Sequence, residues 1–124
     1  MNFKNVMMIK AFAALSVGLL LLLIPDILFS ALGAELLNGG ILAARIYGAS
    51  ALGIMFLTWF GKDLDDKGVR KVIALDLFVY DLIAFVITLM AILNGVLNLV
   101  AVLIAIVFLF FALEFGYLLI IKEK

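Results

Sequence analysis

The sequence places five ionisable residues inside or at the edge of long apolar stretches: Lys10, Arg45, Asp76, Asp81 and Glu114. A charged side chain within a membrane span is costly unless another group compensates it, so such residues mark structural ion pairs or a site for an ion, a proton or a small polar ligand. Two bases face three acids, which leaves one carboxylate without a basic partner. These residues are the candidate polar network of the chain.

Two interpretations of this network are open. In the structural one, Arg45 pairs with Asp81 and Lys10 pairs with Asp76 or Glu114, and the pairs fix how the helices pack. Both aspartates are then expected at the margins of the inward face of their helix, shielded from lipid. In the functional one, Glu114 is the carboxylate left over, and it keeps its proton at neutral pH as a proton-carrying site requires.

The composition excludes several kinds of chemistry. The chain has no cysteine and no histidine, which removes disulfides, thiol catalysis, haem ligation by these residues and the usual zinc sites. Nine basic and nine acidic residues cancel, so no basic field indicates binding to nucleic acid. We therefore expect no cofactor, no metal and no catalytic constellation.

The elements that position the charged residues are apolar helices. Hydrophobic residues make up 69% of the chain and the mean hydropathy is +1.38, values typical of an integral membrane protein. The predicted fold is all-α, a four-helix transmembrane bundle forming one domain over residues 1–124. The spans are predicted at about 5–24, 41–60, 72–93 and 99–121. A short helix at residues 27–37, after Pro25, is expected at the membrane surface between spans 1 and 2.

Small residues mark the faces through which the helices are expected to pack. Lys10, Ala14 and Gly18 recur every four residues and share one face of span 1. Further packing positions are Gly40, Ala44, Gly48 and Gly53 around span 2, and Ala101, Ala105, Ala112 and Gly116 in span 4. The strip in span 4 lies opposite Glu114, so it faces outward if Glu114 faces the bundle. An outward strip predicts a homo-oligomer or a complex with another membrane protein.

Orientation follows from the basic residues. Apart from Arg45, every Lys and Arg falls on one side of a four-span topology, and residues 25–40 and 94–98 carry none. Because Lys and Arg are retained on the cytoplasmic side, both termini are expected to be cytoplasmic. The chain is thus predicted to be a multi-pass protein of the cytoplasmic (inner) membrane, with the lipid bilayer as its environment.

The second span also carries a pattern that resembles a known group. It consists of Arg45-x-x-Gly48-Ala49-x-x-x-Gly53, followed by Trp59 and a charged loop, and preceded by Pro25. In these residues the chain resembles small four-helix prokaryotic membrane proteins of unknown function, loosely similar to the DoxX-like group. The resemblance implies a four-helix bundle and brings no catalytic residues.

Three functions are compared on this basis. The preferred one is a non-enzymatic membrane subunit or scaffold that packs with partner helices, and a module that binds a lipid between its helices would share its features. The alternative is an oligomeric ion- or proton-coupled carrier or channel for small solutes that uses Asp81 and Glu114. An enzyme acting on a lipid or quinone has only carboxylates, Arg and Tyr available, with no recognisable nucleophile.

Overall fold

The chain folds as an all-α bundle, as the sequence predicts. The structure is a computed structural model, and it describes residues 1–121. Within that range there are five α-helices: α1 (Phe3–Leu23), α2 (Pro25–Ala31), α3 (Asn38–Gly61), α4 (Lys67–Leu93) and α5 (Ala101–Ile120). All except α2 are long and apolar enough to cross a membrane, which makes this a multi-pass membrane protein.

Helix α2 is shorter than predicted and ends at Ala31 instead of residue 37. The reason is Gly33, which adopts a left-handed conformation with a φ of 84°. The Gly33 N–H donates to the carbonyl of Ser30 at 3.0 Å, and the Ala34 N–H donates to that of Phe29 at 2.9 Å. This is the Schellman arrangement, which satisfies the last carbonyls of a helix and stops it.

Helix α4 begins earlier than predicted, at Lys67 instead of residue 72. The side chain of Asp66 accepts a hydrogen bond from the Val69 N–H at 2.9 Å, which caps the first turn. At the other end, Gly95 has a φ of 77° and repeats the arrangement of Gly33. The predicted turn after span 3 therefore forms because a glycine follows the last helical residues.

The long helices form two close pairs, α1 with α3 and α4 with α5. In the first pair, Gly18 and Gly48 lie at the crossing point. A Cβ added at Gly48 would lie 3.0 Å from the carbonyl oxygen of Gly18 and 3.0 Å from the Cβ of Leu21. The absence of a side chain at this point allows the two backbones to approach, which is how helices associate in lipid.

The second pair uses the small residues of α5, and this corrects the expected direction of that strip. Ala101, Ala105 and Ala112 are only 0%, 4% and 2% exposed, so they face the inside of the protein. A Cβ added at Gly116 would lie 3.0 Å from the ring of Phe78 on α4. The strip thus packs within one chain, and it does not form an outward docking surface.

The two pairs meet at one end of the bundle, which consists of the start of α1, the loop 62–66 and the end of α5. We name it the basic end because it carries lysines such as Lys4 and Lys62. Its core draws on α1, α4 and α5 and comprises Phe3, Val6, Met7, Ile73, Ala74, Leu77, Phe111, Phe115 and Leu118. Lys71 strengthens this end, since its Nζ donates to the carbonyls of Leu119 at 2.9 Å and Ile121 at 3.1 Å. A cation at a helix C-terminus is favourable.

An exposed ion pair joins the first turn of α1 to the loop after α3. Asp63 lies 3.2 Å from the Nζ of Lys4 and 3.3 Å from that of Lys62. The pKa of the Asp63 carboxyl is lowered below its ordinary value, first by the hydrogen bond from Lys4 and second by the one from Lys62. Because Asp63 is exposed to solvent, the cluster contributes little to stability.

The opposite end of the bundle, formed by α2 and the loop 94–100, is named the acidic end because it carries Asp26 and no Lys or Arg. There Asn98 ties the loop to α2. Its N–H donates to the carbonyl of Leu32 at 2.8 Å, and its side-chain amide donates to that of Ala31 at 3.1 Å. Helix α2 is thereby held across the end of the bundle.

Candidate functional site

The centre of the bundle contains a buried ion pair between Lys10 on α1 and Asp81 on α4. The Lys10 Nζ donates to Oδ1 of Asp81 at 2.6 Å. Asp81 is 0% exposed and Lys10 is 5% exposed. A pair removed from solvent to this degree is held by direct contact, and loss of one partner leaves the other charge without compensation.

Helix periodicity explains why these two residues meet. Lys10 lies on the same face of α1 as Ala14 and Gly18, and all three are buried. Asp81 follows the buried Leu77 by four residues, about 40° around α4, so it points in nearly the same direction. The packing faces of the two helices therefore carry the two charges to each other.

Aromatic rings surround the ion pair. The Lys10 Nζ lies 4.6 Å from the ring centroid of Phe111 and 5.0 Å from that of Tyr80, distances at which a ring face attracts a cation. Tyr80 stacks on Tyr47 of α3, with ring centroids 6.4 Å apart. These rings exclude solvent from the pair and connect it to α3 and α5.

One of the two carboxylate oxygens of Asp81 has no hydrogen-bond donor. Oδ2 of Asp81 is the one buried side-chain nitrogen or oxygen, within residues 1–121, that has no hydrogen-bond partner. A buried carboxylate oxygen without a donor is unusual and costs free energy. Lys10, Tyr47 and Tyr80 line a small cavity of about 40 Å³, which has room for about one water-sized group.

A much larger cavity, of about 640 Å³, lies between the two helix pairs on the side of the acidic end. Side chains from all five helices line it, and those near α2 are apolar, including Leu28, Phe29 and Leu32. The volume is that of a pocket for a small organic molecule, about 300–1,000 Å³. The cavity exists because α1 and α3 separate from α4 and α5 beyond the core of the basic end.

The two cavities share part of their walls. Val17, Tyr47, Tyr80 and Phe108 line both of them. The small cavity beside Lys10 is therefore adjacent to the large one, and the two tyrosines lie between them.

Arg45 is not part of this site. The sequence predicts that it pairs with Asp81 or another carboxylate inside the bundle, but its side chain is exposed and makes no ion pair within the described residues. The packing face of α3 is set by Ala44, Gly48 and Ala51, and Arg45 lies beside that face. It is also about 10 Å from the start of α3, close enough for a long side chain to reach the acidic end.

Asp76 also lies outside the site, whereas the sequence predicts that it is shielded. It is exposed on α4, because it precedes Leu77 by one residue and so points about 100° away from the buried face. The inward face of α4 consists of Ile73 and Leu77, which are buried, and Tyr80, Ala84, Thr88 and Ala91, which are half-buried.

Glu114 is not the unpaired carboxylate that the sequence suggests. It is half-buried at the basic end, and its Oε2 lies 3.6 Å from the N-terminal amine of Met1. The structure thus brings together two of the five predicted residues, Lys10 and Asp81, and distributes the other three over the surface of the bundle or its basic end.

The four packing positions predicted around span 2 all lie in α3, and they have different surroundings. Ala44 is buried and lines the large cavity, and Gly48 lies at the crossing with α1. A Cβ added at Gly40 would lie 3.2 Å from the side chain of Leu36 in the preceding loop, and one added at Gly53 would have no neighbour within 4 Å. Ala44 and Gly48 therefore belong to the packed face of α3, whereas Gly53 lies outside it.

Sequence reasoning missed the cavity and the position of the tyrosines in its wall. No sequence pattern indicates that Tyr47 and Tyr80 line a common space or that the helix pairs diverge. The described residues contain no cluster of three or more His, Cys, Asp or Glu that could hold a metal ion. Comparison of the chain with protein-family models, with curated proteins and with solved structures finds no match.

Proposed function

We propose that this protein is a non-enzymatic small membrane protein that binds the apolar chain of a lipid between its two helix pairs. The observation that supports this most directly is the cavity of about 640 Å³, which is bounded by side chains of all five helices. Its position between membrane-spanning helices makes lipid the natural source of an occupant.

The physical argument rests on packing. An alkyl chain that leaves the bilayer for a protein cavity gains little from the hydrophobic effect, since lipid tails are already apolar. An unfilled cavity, however, deprives its lining atoms of dispersion contacts, and a chain that fills it restores them. Binding is therefore expected to depend on the shape of the cavity, and a bulky side chain placed inside it should prevent binding.

A cavity-filling variant tests this proposal. In lipid nanodiscs, dodecane as a bare-chain probe should raise the melting temperature of the wild-type protein, because a ligand that binds only the folded state stabilises it. Ala84→Phe fills the cavity and should abolish the increase. Ala49→Phe places the same ring at an exposed position on α3 and should retain it. An equal increase in all three proteins would refute binding in this cavity.

A role as a subunit or scaffold is compatible with lipid binding. We therefore also propose that the protein associates with a second copy of itself or with another membrane protein. The strip Ala101–Gly116 is used inside the protomer, so an oligomer or a complex would have to use another surface. The carrier alternative combined Asp81 with Glu114. In the structure Asp81 pairs with Lys10, and Glu114 lies beside the amine of Met1. The two carboxylates therefore do not form one site, and we prefer lipid binding to the carrier.

We also propose that the basic end, with both termini, is cytoplasmic and that the protein resides in the cytoplasmic membrane, since Lys and Arg are retained on that side. The chain has no native cysteine, so single cysteines can report topology. Cysteine at Asn38 or Asn94 should react with an impermeant maleimide in intact cells, and cysteine at Lys67 should react only after lysis. Reaction of the Lys67 variant in intact cells would reverse the orientation.

A further inference from the structure

The large cavity is covered at the acidic end of the bundle. Four side chains of α2, its C-terminal end and the loop 94–100 line it there, namely Leu28, Phe29, Leu32 and Leu97. Asn98 joins the loop to α2, because its backbone N–H and its side-chain amide both donate to carbonyls at the C-terminal end of that helix. A Cβ added at Gly33 would lie only 3.1 Å from the Cβ of Asn98. An occupant that entered along the bundle axis would have to separate these two segments.

The side of the cavity between α3 and α4 is less covered. These two helices do not form a close pair, and the stack of Tyr47 on Tyr80 connects them. Ile83 and Ile87 lie beyond this stack towards the acidic end, about 5 and 10 Å further along α4. Both line the cavity, yet they are 53% and 62% exposed. Side chains that belong both to a cavity wall and to the outer surface lie at an opening.

The exposed lining residues of α1 do not indicate an opening of the same width. Val17 and Leu20 are 38% and 39% exposed, less than the two isoleucines of α4. In addition, α1 approaches α5 closely, whereas α3 and α4 stay apart. The gap between α3 and α4 is therefore the larger opening, and it faces the bilayer because both helices are long and apolar enough to span it.

The charges around this opening restrict the kind of lipid. No Asp, Glu, Lys or Arg of the described residues lines the large cavity, so a phosphate would enter it without a counter-ion, at a high cost in free energy. Residues 24–44 and 94–100, which form the acidic end, contain Asp26 and Glu35 but no Lys or Arg. Arg45 precedes Tyr47 by two residues, so it points about 160° away from that side chain around α3. An anionic headgroup near the opening would therefore meet carboxylates and no cation.

We infer that the occupant is one acyl chain of a zwitterionic membrane phospholipid, which enters sideways between α3 and α4 from the leaflet around the acidic end. A lateral opening allows the chain to fill the cavity while it stays joined to a headgroup at the membrane surface. A headgroup without net negative charge is preferred, because like charges placed side by side repel each other. This inference rests on the proposed function and names the class of its ligand, the route and the leaflet.

Quenching of tryptophan fluorescence by lipids with brominated chains tests the inference in asymmetric vesicles. Trp59→Phe removes the single tryptophan of the chain, and Phe108→Trp then places one in the cavity wall. Brominated phosphatidylcholine in the leaflet around the acidic end should quench this fluorescence, and Ala84→Phe should remove most of the quenching. Ile106→Trp provides the control at an exposed position of α5, where quenching should not depend on Ala84. The reaction of a cysteine at Asn94 with an impermeant maleimide reports the orientation of the protein.

Bulky labels locate the opening. The chain has no native cysteine, so Ile87→Cys and Leu20→Cys can each carry the same bulky maleimide at an exposed part of the cavity wall. The label at Ile87, between α3 and α4, should cause the larger loss of the quenching that depends on Ala84. Equal losses, or a larger loss from the label at Leu20, would overturn the route between α3 and α4.

The outcomes separate the inference from the proposed function. Equal quenching from the two leaflets, or quenching by brominated phosphatidylglycerol that is as strong as that by phosphatidylcholine, would overturn the inference. Quenching by brominated dodecane alone would also overturn it, but would leave chain binding in place. If no brominated probe gives quenching that depends on Ala84, the proposed function itself fails. If Phe108→Trp does not fold, Ile104→Trp, one turn earlier in the same wall, replaces it and the same outcomes decide.

Discussion

Replacement of Asp81 by leucine should lower the free energy of unfolding by about 3–5 kcal/mol, the cost typical of breaking a buried ion pair from one side. The Lys10 ammonium would keep its burial and its two aromatic neighbours but lose its contact at 2.6 Å with the carboxylate. Denaturation in mixed detergent micelles, followed by circular dichroism, measures the effect. The double variant Lys10→Met with Asp81→Leu should recover most of the loss, since two apolar residues can replace a buried pair.

A matched control lies in the same helix. Asp76→Leu makes the same chemical change five residues earlier, at an exposed position. We expect it to leave the free energy of unfolding unchanged or to raise it, because it removes an exposed charge from a membrane span and leaves no buried partner without compensation. Similar losses in Asp76→Leu and Asp81→Leu, or a double variant as unstable as the sum of its single variants, would show that Lys10 and Asp81 are not coupled.

The second large effect is expected at the crossing of α1 and α3. Gly48→Ala should lower the free energy of unfolding by about 1–3 kcal/mol, because the new methyl group would lie 3.0 Å from the backbone oxygen of Gly18 and the helices would have to move apart. The same denaturation experiment measures it. A cysteine pair across α1 and α3 would additionally report the increased separation as slower crosslinking.

Gly53 provides the comparison for this prediction. It lies five residues later in α3, and an added Cβ would have no neighbour within 4 Å. Alanine is the better helix former by about 0.8–1.0 kcal/mol, so Gly53→Ala should stabilise the protein slightly. The two substitutions are therefore expected to have opposite signs, and a gain in stability from Gly48→Ala would contradict the close crossing.

The length and apolar character of the helices could be predicted from the sequence because these are local properties. Four stretches are each long enough to span a bilayer, and Gly33 and Gly95 end α2 and α4 through their own backbone conformation. The inward faces of α1 and α4 were also predictable. Lys10, Ala14 and Gly18 follow one helical period, and all three are buried. The resemblance to DoxX-like proteins stays a prediction.

The rotation of α3 and the partner of Asp81 were decided only by the tertiary structure. A helix that is apolar on nearly all sides has no polar face to indicate which side turns inward. Contact between small residues then sets the rotation, and it placed Lys10 beside Asp81 while leaving Arg45 and Asp76 exposed. The identity and spacing of the charges alone could not distinguish these arrangements, since they do not specify how each helix is rotated about its axis.

The sequence by itself determined an all-α membrane protein with four spans and the set of charges available within them. Only the tertiary structure decided that the small residues of α5 pack inside the protein, with Gly116 against Phe78 of α4, and that the two helix pairs leave a large cavity between them. The cavity is a consequence of that separation, and no single helix encodes it. Its walls come from residues far apart in the sequence, such as Val17 of α1 and Phe108 of α5.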